Sequence, residues 1–394
     1  MSVLVVNAGS SSLKYQLVDP GNGAVHAVGL IERIGEAGTK AAARHTVSGA
    51  GAVERAVDAP DHESAMRVVL DFFDTLGPAL DDVVAVGHRV VHGGERFSAP
   101  ALVTDEVLDA IADLVPLAPL HNPGNLAGIR AAQAALPGVP QVAVFDTAFH
   151  QTLPPHAFTY AVPREWREQH RVRRYGFHGT SHQYVSRRVA ALLDRPLEQV
   201  NTIVLHLGNG ASAAAVQGGR SIDTSMGLTP LEGLVMGTRP GDLDPALAFH
   251  MSREGVSIED YDRALNKGSG LLGLTGTNDF REVMAQVDAG VPEAALALRI
   301  VAYRLAKYVG AYAVAVGRLD AIAFTAGIGE HSPRLRAEVV GQLGILGARI
   351  DLSRNETGSG ERVVSTDDSA VSVLVVPTDE ELEIARQTLA VLGA

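Results

Sequence analysis

Two similar segments, one in each half of the chain, restrict the fold more than any other feature. Residues 3–17 have the sequence VLVVNAGSSSLKYQL, and residues 203–216 have the sequence IVLHLGNGASAAAV. Each begins with an apolar run typical of a strand, continues through small residues and resumes with a second apolar-rich run. This pattern predicts two β-hairpins. Because Gly9 aligns with Gly210, about half the chain later, we infer an internal duplication.

The turns of both hairpins contain backbone N–H groups and hydroxyls but little side-chain bulk. Glycine tolerates positive φ and has no Cβ, so the backbone at such a turn can approach a phosphate closely. A P-loop is excluded, because GSSSLK at residues 9–14 lacks the second glycine and the Ser or Thr after the lysine. GSGLLG at residues 268–273 matches the Rossmann pattern but follows ALNK, not a strand, so we discard it. The hairpin pair predicts a polyphosphate site in a cleft between two lobes.

Composition limits the class of protein and of partner. The 394 residues suffice for two or three domains. A net charge of −12 argues against nucleic acid or an anionic membrane as the main partner. The absence of cysteine excludes disulfides, a thiol nucleophile and a thiolate metal site. The N-terminal sequence MSVLVVNAG does not resemble a signal peptide, so we expect a cytoplasmic location.

Apolar periodicity predicts the elements around these hairpins. We expect helices at residues 62–76, 104–114, 126–136, 292–316 and 380–392, and strands at residues 83–91, 141–145, 321–324 and 371–376. The segment AGIGEHS is predicted as a third glycine turn. A long loop at residues 223–245 is expected to be functional, because loops of this length are uncommon inside compact domains.

The predicted helix at residues 292–316 is apolar almost all round. It nevertheless contains Arg299, Arg304 and Lys307, which exclude a membrane span because charges at the bilayer centre are costly. The pattern favours a helix buried in the core, and a subunit interface is the alternative.

A set of motifs, taken together and in order, identifies a family. In chain order the motifs are VNAGSSSLK, GHRVVHGG, PLHNP, FDTAFH, YGFHGTSH, HLGNG, DTSMGLTPLEGLVMGTRPGD, GIGE and TDEEL. This set, which extends from Asn7 to Glu380, resembles the acetate kinase family. The resemblance implies an α/β fold with two duplicated actin-like (ribonuclease H-like) lobes and a nucleotide cleft between them. It assigns residues 1–148 and 381–394 to one lobe, and residues 149–380 to a second lobe with most nucleotide contacts.

The reaction implied by this resemblance transfers the γ-phosphoryl of ATP to acetate. Two anions must meet in this reaction, and Arg89 and Arg239 suit that task because guanidinium groups bind carboxylate and phosphate oxygens in pairs. The resemblance implies that His178 stabilises the transferring phosphoryl, with assistance from His121. Asp146, at the end of a predicted strand, is expected to be catalytic. Its role as acceptor guide, indirect Mg²⁺ ligand or proton carrier is left open.

The resemblance also implies a metal site. Mg²⁺, with Mn²⁺ as an alternative, is expected near Asn7 and Glu380, since Mg²⁺ prefers oxygen ligands and keeps several waters. Histidines spaced four apart occur at His88/His92 and His178/His182, a spacing that suits zinc on a helix. The first pair falls on a predicted strand and no HExxH motif is present, so zinc is disfavoured.

The remaining site residues follow from the resemblance alone. A small apolar niche for the acceptor is expected at Val91, Leu120, Phe177 and Pro230. Nucleotide contacts are expected at Lys14, His206, Leu207, Gly208, Asn209, Gly210, Asp279, Phe280, Arg281, Gly327, Ile328, Gly329, Glu330 and His331. His331 stands where Asn is common in the family. A homodimer is expected, and a propionate or butyrate kinase or a non-catalytic actin-like nucleotide-binding protein are the rival functions.

Overall fold

The polypeptide forms two compact units in the computed structural model, which describes residues 1–36 and 38–393. The first unit comprises Met1–Phe149 together with Asp379–Ala394, and the second comprises His150–Thr378. No helix in the described part of the chain is both long enough and apolar enough to cross a membrane.

The first unit is built on one mixed sheet. Its elements before the C-terminal segment are β1 (Ser2–Ala8), β2 (Ser12–Val18), β3 (Val25–Glu32), β4 (Ala41–Val47), β5 (Gly51–Val57), α1 (His62–Leu76), β6 (Val83–Val90), β7 (Ala101–Leu102), α2 (Asp105–Asp113), α3 (Asn122–Ala135) and β8 (Gln141–Phe145). Among the described residues, the strand order is β5-β4-β3-β2-β1-β6-β8-β7. Strands β1 and β2 pair antiparallel, whereas β6 lies parallel to both β1 and β8.

Helix α1 covers one face of this sheet. Asp61 caps its N-terminus by accepting a hydrogen bond from the Ser64 amide, in a reciprocal capping box. The helix then buries Met66, Val69 and Phe72 with side chains of β1, β2 and β3 in a single apolar cluster. The amphipathic period that predicted this helix therefore arises from its contact with the sheet.

The second unit repeats this plan around a smaller sheet. Its elements are α4 (Pro155–Phe158), α5 (Arg164–His170), α6 (Gly179–Leu192), β9 (Asn201–Leu207), β10 (Ala211–Gln217), β11 (Arg220–Thr224), α7 (Leu247–Arg253), α8 (Ile258–Lys267), α9 (Gly270–Thr275), α10 (Phe280–Asp288), α11 (Pro292–Val316), β12 (Ala321–Thr325), α12 (Ala326–His331), α13 (Pro333–Val340), α14 (Leu352–Glu356), β13 (Arg362–Val363) and β14 (Ser372–Val375). Among described residues, the strand order is β11-β10-β9-β12-β14-β13.

The two sheets share a five-strand core. The order β3-β2-β1-β6-β8 in the first unit corresponds to β11-β10-β9-β12-β14 in the second. In each case an antiparallel hairpin is followed by two parallel strands. Both hairpins predicted from the sequence are therefore confirmed, at β1–β2 and at β9–β10.

The conformational reason given for the hairpin glycines is wrong. Gly9, Gly208 and Gly210 are absent from the described glycines with positive φ. Two of them are closely packed: a Cβ at Gly9 would lie 2.9 Å from Ser12 Oγ, and one at Gly208 would lie 3.3 Å from the Gly210 carbonyl oxygen, whereas a Cβ at Gly210 would have only contacts of 3.5 Å or more. Glycine is therefore required at Gly9 and Gly208 for its small size and not for a left-handed backbone conformation.

The C-terminal helix α15 (Glu380–Leu392) groups with the first unit and packs on β1, β6 and β8. A Cβ at Gly87 of β6 would lie 2.5 Å from Thr388 Oγ1, so only glycine permits this close approach. Asp379 caps the helix by accepting from the Leu382 amide at 2.9 Å. This packing fixes the position of Glu380, the first residue of the helix.

All predicted helices and strands are present, and the bounds of α2, β6, β12 and β14 differ from the predicted ones by one residue at one or both ends, whereas α3 and AGIGEHS differ more. The predicted bounds of α1, α11, β8 and α15 are those observed. Helix α3 begins at Asn122, not residue 126, because Pro123 is accommodated in the first turn. The predicted strand at residues 371–376 is shorter, Ser372–Val375. AGIGEHS is not a turn but contains α12, which starts from Ala326 at a φ of 61°.

Candidate active site

In the first unit, Arg89 and Asp146 form a two-bonded ion pair. Arg89 lies in β6, and Asp146 directly follows β8, which pairs in parallel with β6. The Asp146 amide donates to the Val90 carbonyl at 3.0 Å. Arg89 Nε donates to Asp146 Oδ1 at 3.1 Å, and a second guanidinium nitrogen donates to Oδ2. Only 1% of the Asp146 side chain is exposed. This pair lies where open α/β sheets place their ligands, at the carboxyl ends of strands.

Further acidic groups surround the Arg89 guanidinium. Burial opposes its charge, but the negative charge of Asp146, with those of Glu380 and Glu381, outweighs burial and raises the pKa of Arg89. Glu380 Oε2 lies 4.0 Å from Arg89 Nε. Arg89 therefore stays a cation while remaining tied to carboxylates.

Asn7 and Glu380, the predicted metal ligands, both lie beside Arg89. Arg89 Nη1 lies 3.4 Å from Asn7 Oδ1, at the end of β1. Lys14 is opposite Asn7 in the β1–β2 register. Among the described residues, no three His, Asp, Glu or Cys side chains form a metal-binding group. An amide oxygen and a carboxylate nevertheless match the oxygen donors that Mg²⁺ uses, and Mg²⁺ needs only one or two from the protein.

The N-terminus of α3 joins the ends of β1 and β6. Asn125 accepts from the Val91 amide at 3.0 Å and donates to the Ala8 carbonyl at 2.7 Å. A Cβ at Gly124 would lie 2.6 Å from the Gly9 carbonyl oxygen. The sequence analysis did not single out Asn125 or Gly124, although small and polar residues at the start of an otherwise apolar helix are a signal for such contacts.

The other predicted residues of the first unit lie near α3. His121 is the residue before the helix, Val91 is buried, and Leu120 is 60% exposed. An exposed leucine next to buried polar groups is compatible with an apolar ligand contact, but single exposed leucines are common on protein surfaces.

In the second unit, His178 occupies a strained position before α6. Its backbone is left-handed, with φ of 57° and ψ of 26°, a conformation that non-glycine residues adopt at a cost of about 1–3 kcal/mol. Its Nδ1 lies 2.9 Å from Ser212 Oγ, and its ring stacks on His206 with centroids 4.2 Å apart. His206 Nδ1 lies 2.7 Å from Ser181 Oγ. Strain that persists in a well-packed region suggests a functional constraint on His178.

Two further histidines, His150 and His182, complete a buried cluster. His182 Nε2 lies 2.7 Å from Ser212 Oγ, and His150 Nε2 lies 3.0 Å from the Phe177 carbonyl oxygen. Both rings have no exposed surface. Burial lowers the pKa of His150 to about 4, and burial together with His150 and His206 holds the pKa of His182 well below its usual range. Sequence analysis considered His182 only as a zinc ligand and missed His150, although both lie in the recognised motifs.

Arg239 differs from Arg89 in lacking a carboxylate partner within ion-pair distance among the described residues. Its Nη1 donates to the Pro230 carbonyl at 2.7 Å. Burial lowers the pKa of Arg239. A Cβ built at Gly210 would lie 3.7 Å from Arg239 Nη2 and 3.5 Å from His178 Nε2. The turn of the β9–β10 hairpin thus faces a guanidinium and an imidazole.

The loop that carries Arg239 is held in place by another arginine. Arg174 Nη1 donates to three successive carbonyls, those of Thr224, Ser225 and Met226, at 2.9 to 3.2 Å. Arg174 also pairs with Glu232 at 2.5 Å. The loop predicted from its length to be functional is therefore an ordered part of the second unit, and Arg174 is a supporting residue that sequence analysis did not identify.

A cavity of about 1120 Å³ lies within the second unit and is lined in part by Gly208 and Asn209 of the β9–β10 turn. Predicted nucleotide residues that line it are Gly208, Asn209, Asp279, Phe280, Arg281, Gly327, Ile328 and His331. Leu207 lines a small adjoining apolar cavity. The Gly329 and Glu330 carbonyls instead accept hydrogen bonds from Arg336. The cavity thus gathers residues from three separate segments of the chain.

Comparison with known proteins decides the family. The sequence profile of the Acetokinase family matches residues 2–386. This chain belongs to the acetokinase family. It is 59% identical to an acetate kinase of Leifsonia xyli, with 100% of this chain and 99% of the relative covered, and 55% identical to one of Streptomyces griseus, with 99% and 96% covered.

Solved structures of the family confirm the predicted fold. The chain matches the acetate kinase of Porphyromonas gingivalis with a TM-score of 0.95 at 43% identity, and 99% of each chain is covered. It matches a propionate kinase from Francisella tularensis with a TM-score of 0.93 at 42% identity, again with 99% of each chain covered. The acetokinase-family fold of duplicated α/β lobes is therefore the fold of this chain.

Proposed function

We propose that this acetokinase-family chain is an acetate kinase, which transfers the γ-phosphoryl of ATP directly and reversibly to acetate, giving acetyl phosphate and ADP. One observation carries the proposal. Gly208 and Asn209 of the β9–β10 turn line a nucleotide-sized cavity, and Gly210 of the same turn lies next to His178 Nε2 and Arg239 Nη2. A nucleotide in the cavity can therefore present its terminal phosphates to those donors.

The chemistry needs charge stabilisation more than proton transfer. The transferring phosphoryl spreads negative charge over its oxygens, and preorganised donors stabilise that charge without reorganisation. Arg239, a partly buried cation with no carboxylate partner among the described residues, gains most from an arriving anion. Acetate is already ionised near neutral pH, so no general base is required.

In the first unit, we assign Arg89 to substrate anions and Asp146 to the orientation of Arg89. The two-bonded pair fixes the guanidinium plane, which supports a positioning role for Asp146. His121 is assigned an assisting role, and the acceptor methyl group is assigned to Val91, Leu120, Phe177 and Pro230.

Asn7 and Glu380 are the residues that would hold Mg²⁺, with Mn²⁺ as the alternative. Their oxygen atoms fit this metal, and both lie close to Arg89. When bound, the metal would neutralise negative charge on the nucleotide phosphates. A homodimer and a cytoplasmic location stay predictions. The exposed α11 side chains Leu296, Tyr303 and Val314 support a subunit interface.

A coupled assay with ATP, Mg²⁺ and acetate, propionate or butyrate tests the proposal. We expect the highest kcat/KM with acetate. His178→Ala should reduce kcat at least about a hundredfold, because it removes a preorganised donor, while ATP binding and the thermal melt stay near those of the parent. His250→Ala removes an exposed histidine of the same unit and is the control.

Each rival function predicts a different result in the same assay. A higher kcat/KM with propionate or butyrate than with acetate would favour a longer-chain carboxylate kinase. ATP binding without turnover of any carboxylate would favour a non-catalytic nucleotide-binding protein. Near-normal turnover of His178→Ala would remove that residue from the mechanism.

A further inference from the structure

Ser212, on β10, lies between two histidine rings. Its hydroxyl oxygen is 2.9 Å from His178 Nδ1 and 2.7 Å from His182 Nε2. Ser212 and His182 have no exposed surface. A serine hydroxyl has a single proton to donate, so it can donate to only one of the two rings and must accept from the other. The direction of these two hydrogen bonds decides which nitrogen of His178 holds the proton.

The surroundings of His182 set that direction. Its Nδ1 is buried and has no hydrogen-bond partner. Burial, with His150 and His206 nearby, keeps the pKa of His182 low, so the ring is neutral with one N–H. Placing that proton on Nδ1 would bury an N–H donor with no acceptor, and buried N–H groups without an acceptor are rarer in proteins than acceptors without a donor. The proton therefore belongs on Nε2, which donates to Ser212.

Ser212 must then donate its own proton to His178. With its oxygen accepting from His182, the hydroxyl proton is directed at His178 Nδ1. A neutral His178 that accepts at Nδ1 has its proton on Nε2. His178 Nε2 is the atom that lies 3.5 Å from the Cβ position at Gly210, at the hairpin turn.

We propose that Ser212 and His182 are positioning residues that hold His178 in its Nε2–H tautomer through a directional hydrogen-bond relay. The relay runs from His182 Nε2–H to Ser212 Oγ, and from the Ser212 hydroxyl to His178 Nδ1. It supplies a reason for the complete burial of two polar side chains, those of Ser212 and His182. It deepens the proposed function, on which its catalytic consequence rests, because the Nε2–H form is the one that donates to a transferring phosphoryl.

A neighbouring pair in the same cluster provides a matched control. Ser221 Oγ lies 2.7 Å from His150 Nδ1, and both residues have no exposed surface. His150 Nε2 faces the Phe177 carbonyl, which can only accept, so a backbone group fixes this ring directly. Ser221→Ala is therefore the same chemical change, at the same burial, next to a histidine whose tautomer does not need the hydroxyl.

Nitrogen NMR of histidine-labelled protein measures the tautomer directly. The spectra are recorded without substrates at about pH 8, where an ordinary imidazole is neutral. The His178 signals, assigned with His178→Gln, should show a protonated Nε2 and an unprotonated Nδ1 in the parent. Ser212→Ala should give a mixture of the two tautomers, and Ser212→Thr, which keeps the hydroxyl, should restore the parent pattern. Ser221→Ala should leave His178 unchanged.

Kinetics provide the second measurement. Ser212→Ala should lower kcat by about tenfold to a hundredfold, the usual effect of losing a group that orients a functional histidine, with little change in the KM values. Ser212→Thr should recover most of the loss, and Ser221→Ala should show little change. An Nδ1–H tautomer of His178 in the parent, or an unchanged tautomer in Ser212→Ala, would overturn the relay. Absence of carboxylate kinase activity in the parent would instead overturn the proposed function, while the NMR result on the relay would still stand.

Discussion

Arg89 and Arg239 are partly buried arginines of the two units, and their surroundings are opposite. Arg89 is held by the buried carboxylate of Asp146, with Glu380 nearby, and its pKa is raised. Arg239 donates to a carbonyl, and burial lowers its pKa. The comparison teaches that the first cation is compensated by the protein itself. The second has no carboxylate partner among the described residues and is available to an incoming anion, since a partly buried charge gains from any partner that replaces lost water.

The two hairpin turns differ in the same way as the two arginines, since the protein itself fills the surroundings of one and not of the other. The Gly9 turn is crowded by the protein, since a Cβ at Gly124 would meet the Gly9 carbonyl and a Cβ at Gly9 would meet Ser12. At Gly210, the nearest atoms to a Cβ are 3.5 Å away or more, which is ordinary contact. One turn is packed for structure, and the other leaves space beside its donors.

The largest expected effect separates the two arginines by stability. Arg89→Ala should lower the free energy of unfolding by about 3 kcal/mol, because it removes the two-bonded cation from the buried Asp146 carboxylate. Arg239→Ala should change it by less than about 1 kcal/mol, because no carboxylate loses a partner. Urea unfolding of both variants measures this difference, and both should lose activity. Equal losses of stability would show that the two sites are not opposite in this respect.

Arg89→Lys controls for charge alone. Lysine keeps the positive charge but cannot form the two-bonded contact with Asp146. We expect most of the stability to return and the activity to stay low. Full recovery of activity would indicate that the fork geometry of Arg89 is not needed.

The next effect, which is smaller for each residue, concerns acid and should involve both units. Burial lowers the pKa of His88 and His92 in the first unit, and of His150 in the second, to about 4 each. An unfolded histidine has a pKa of about 6.5. Between these values the unfolded chain binds protons that the folded chain does not, so the stability from neutral burial is complete above about pH 6.5 and is lost as the pH falls towards 4.

For each of these histidines, the free energy of unfolding should fall by about 2 kcal/mol when the pH is lowered from 7 to 5. Amide hydrogen exchange in β1–β2 and in β9–β10 would report the loss for each unit separately. His88→Gln removes one titrating ring from the first unit only and should reduce the pH dependence there. A stability that does not change over this range would contradict the neutral, buried state of the rings.

The smallest expected effect compares the two turns directly. Gly210→Ala should leave the thermal melt nearly unchanged but raise the KM for ATP about tenfold, or about 1.4 kcal/mol, since its methyl group points towards His178 and Arg239 where phosphate oxygens would lie. Gly9→Ala should lower stability by about 1 kcal/mol, because Ser12 must move. An unchanged KM for ATP in Gly210→Ala would place the phosphates elsewhere.

The sequence by itself determined the elements whose pattern is local. The apolar periods of α1 and α15 gave their observed bounds, because each helix buries one face and that face repeats at the helical period along the sequence. The alternation of apolar runs and small residues likewise determined both hairpins. The position of the candidate site at the carboxyl ends of β6 and β8 could also be predicted, since Asp146 directly follows a buried strand and open α/β sheets bind ligands at such strand ends.

Tertiary structure alone decided the contacts between distant residues. AGIGEHS has weak helix propensity because of its glycines, and it is helical where Arg336 binds the Gly329 and Glu330 carbonyls. The hydrogen bond between His182 and Ser212 joins residues 30 positions apart, and no periodic pattern in the sequence predicts it. Sequence patterns specify which face of an element is buried. They do not specify which two polar groups meet inside, because that depends on how the elements pack and on where each remaining proton finds an acceptor.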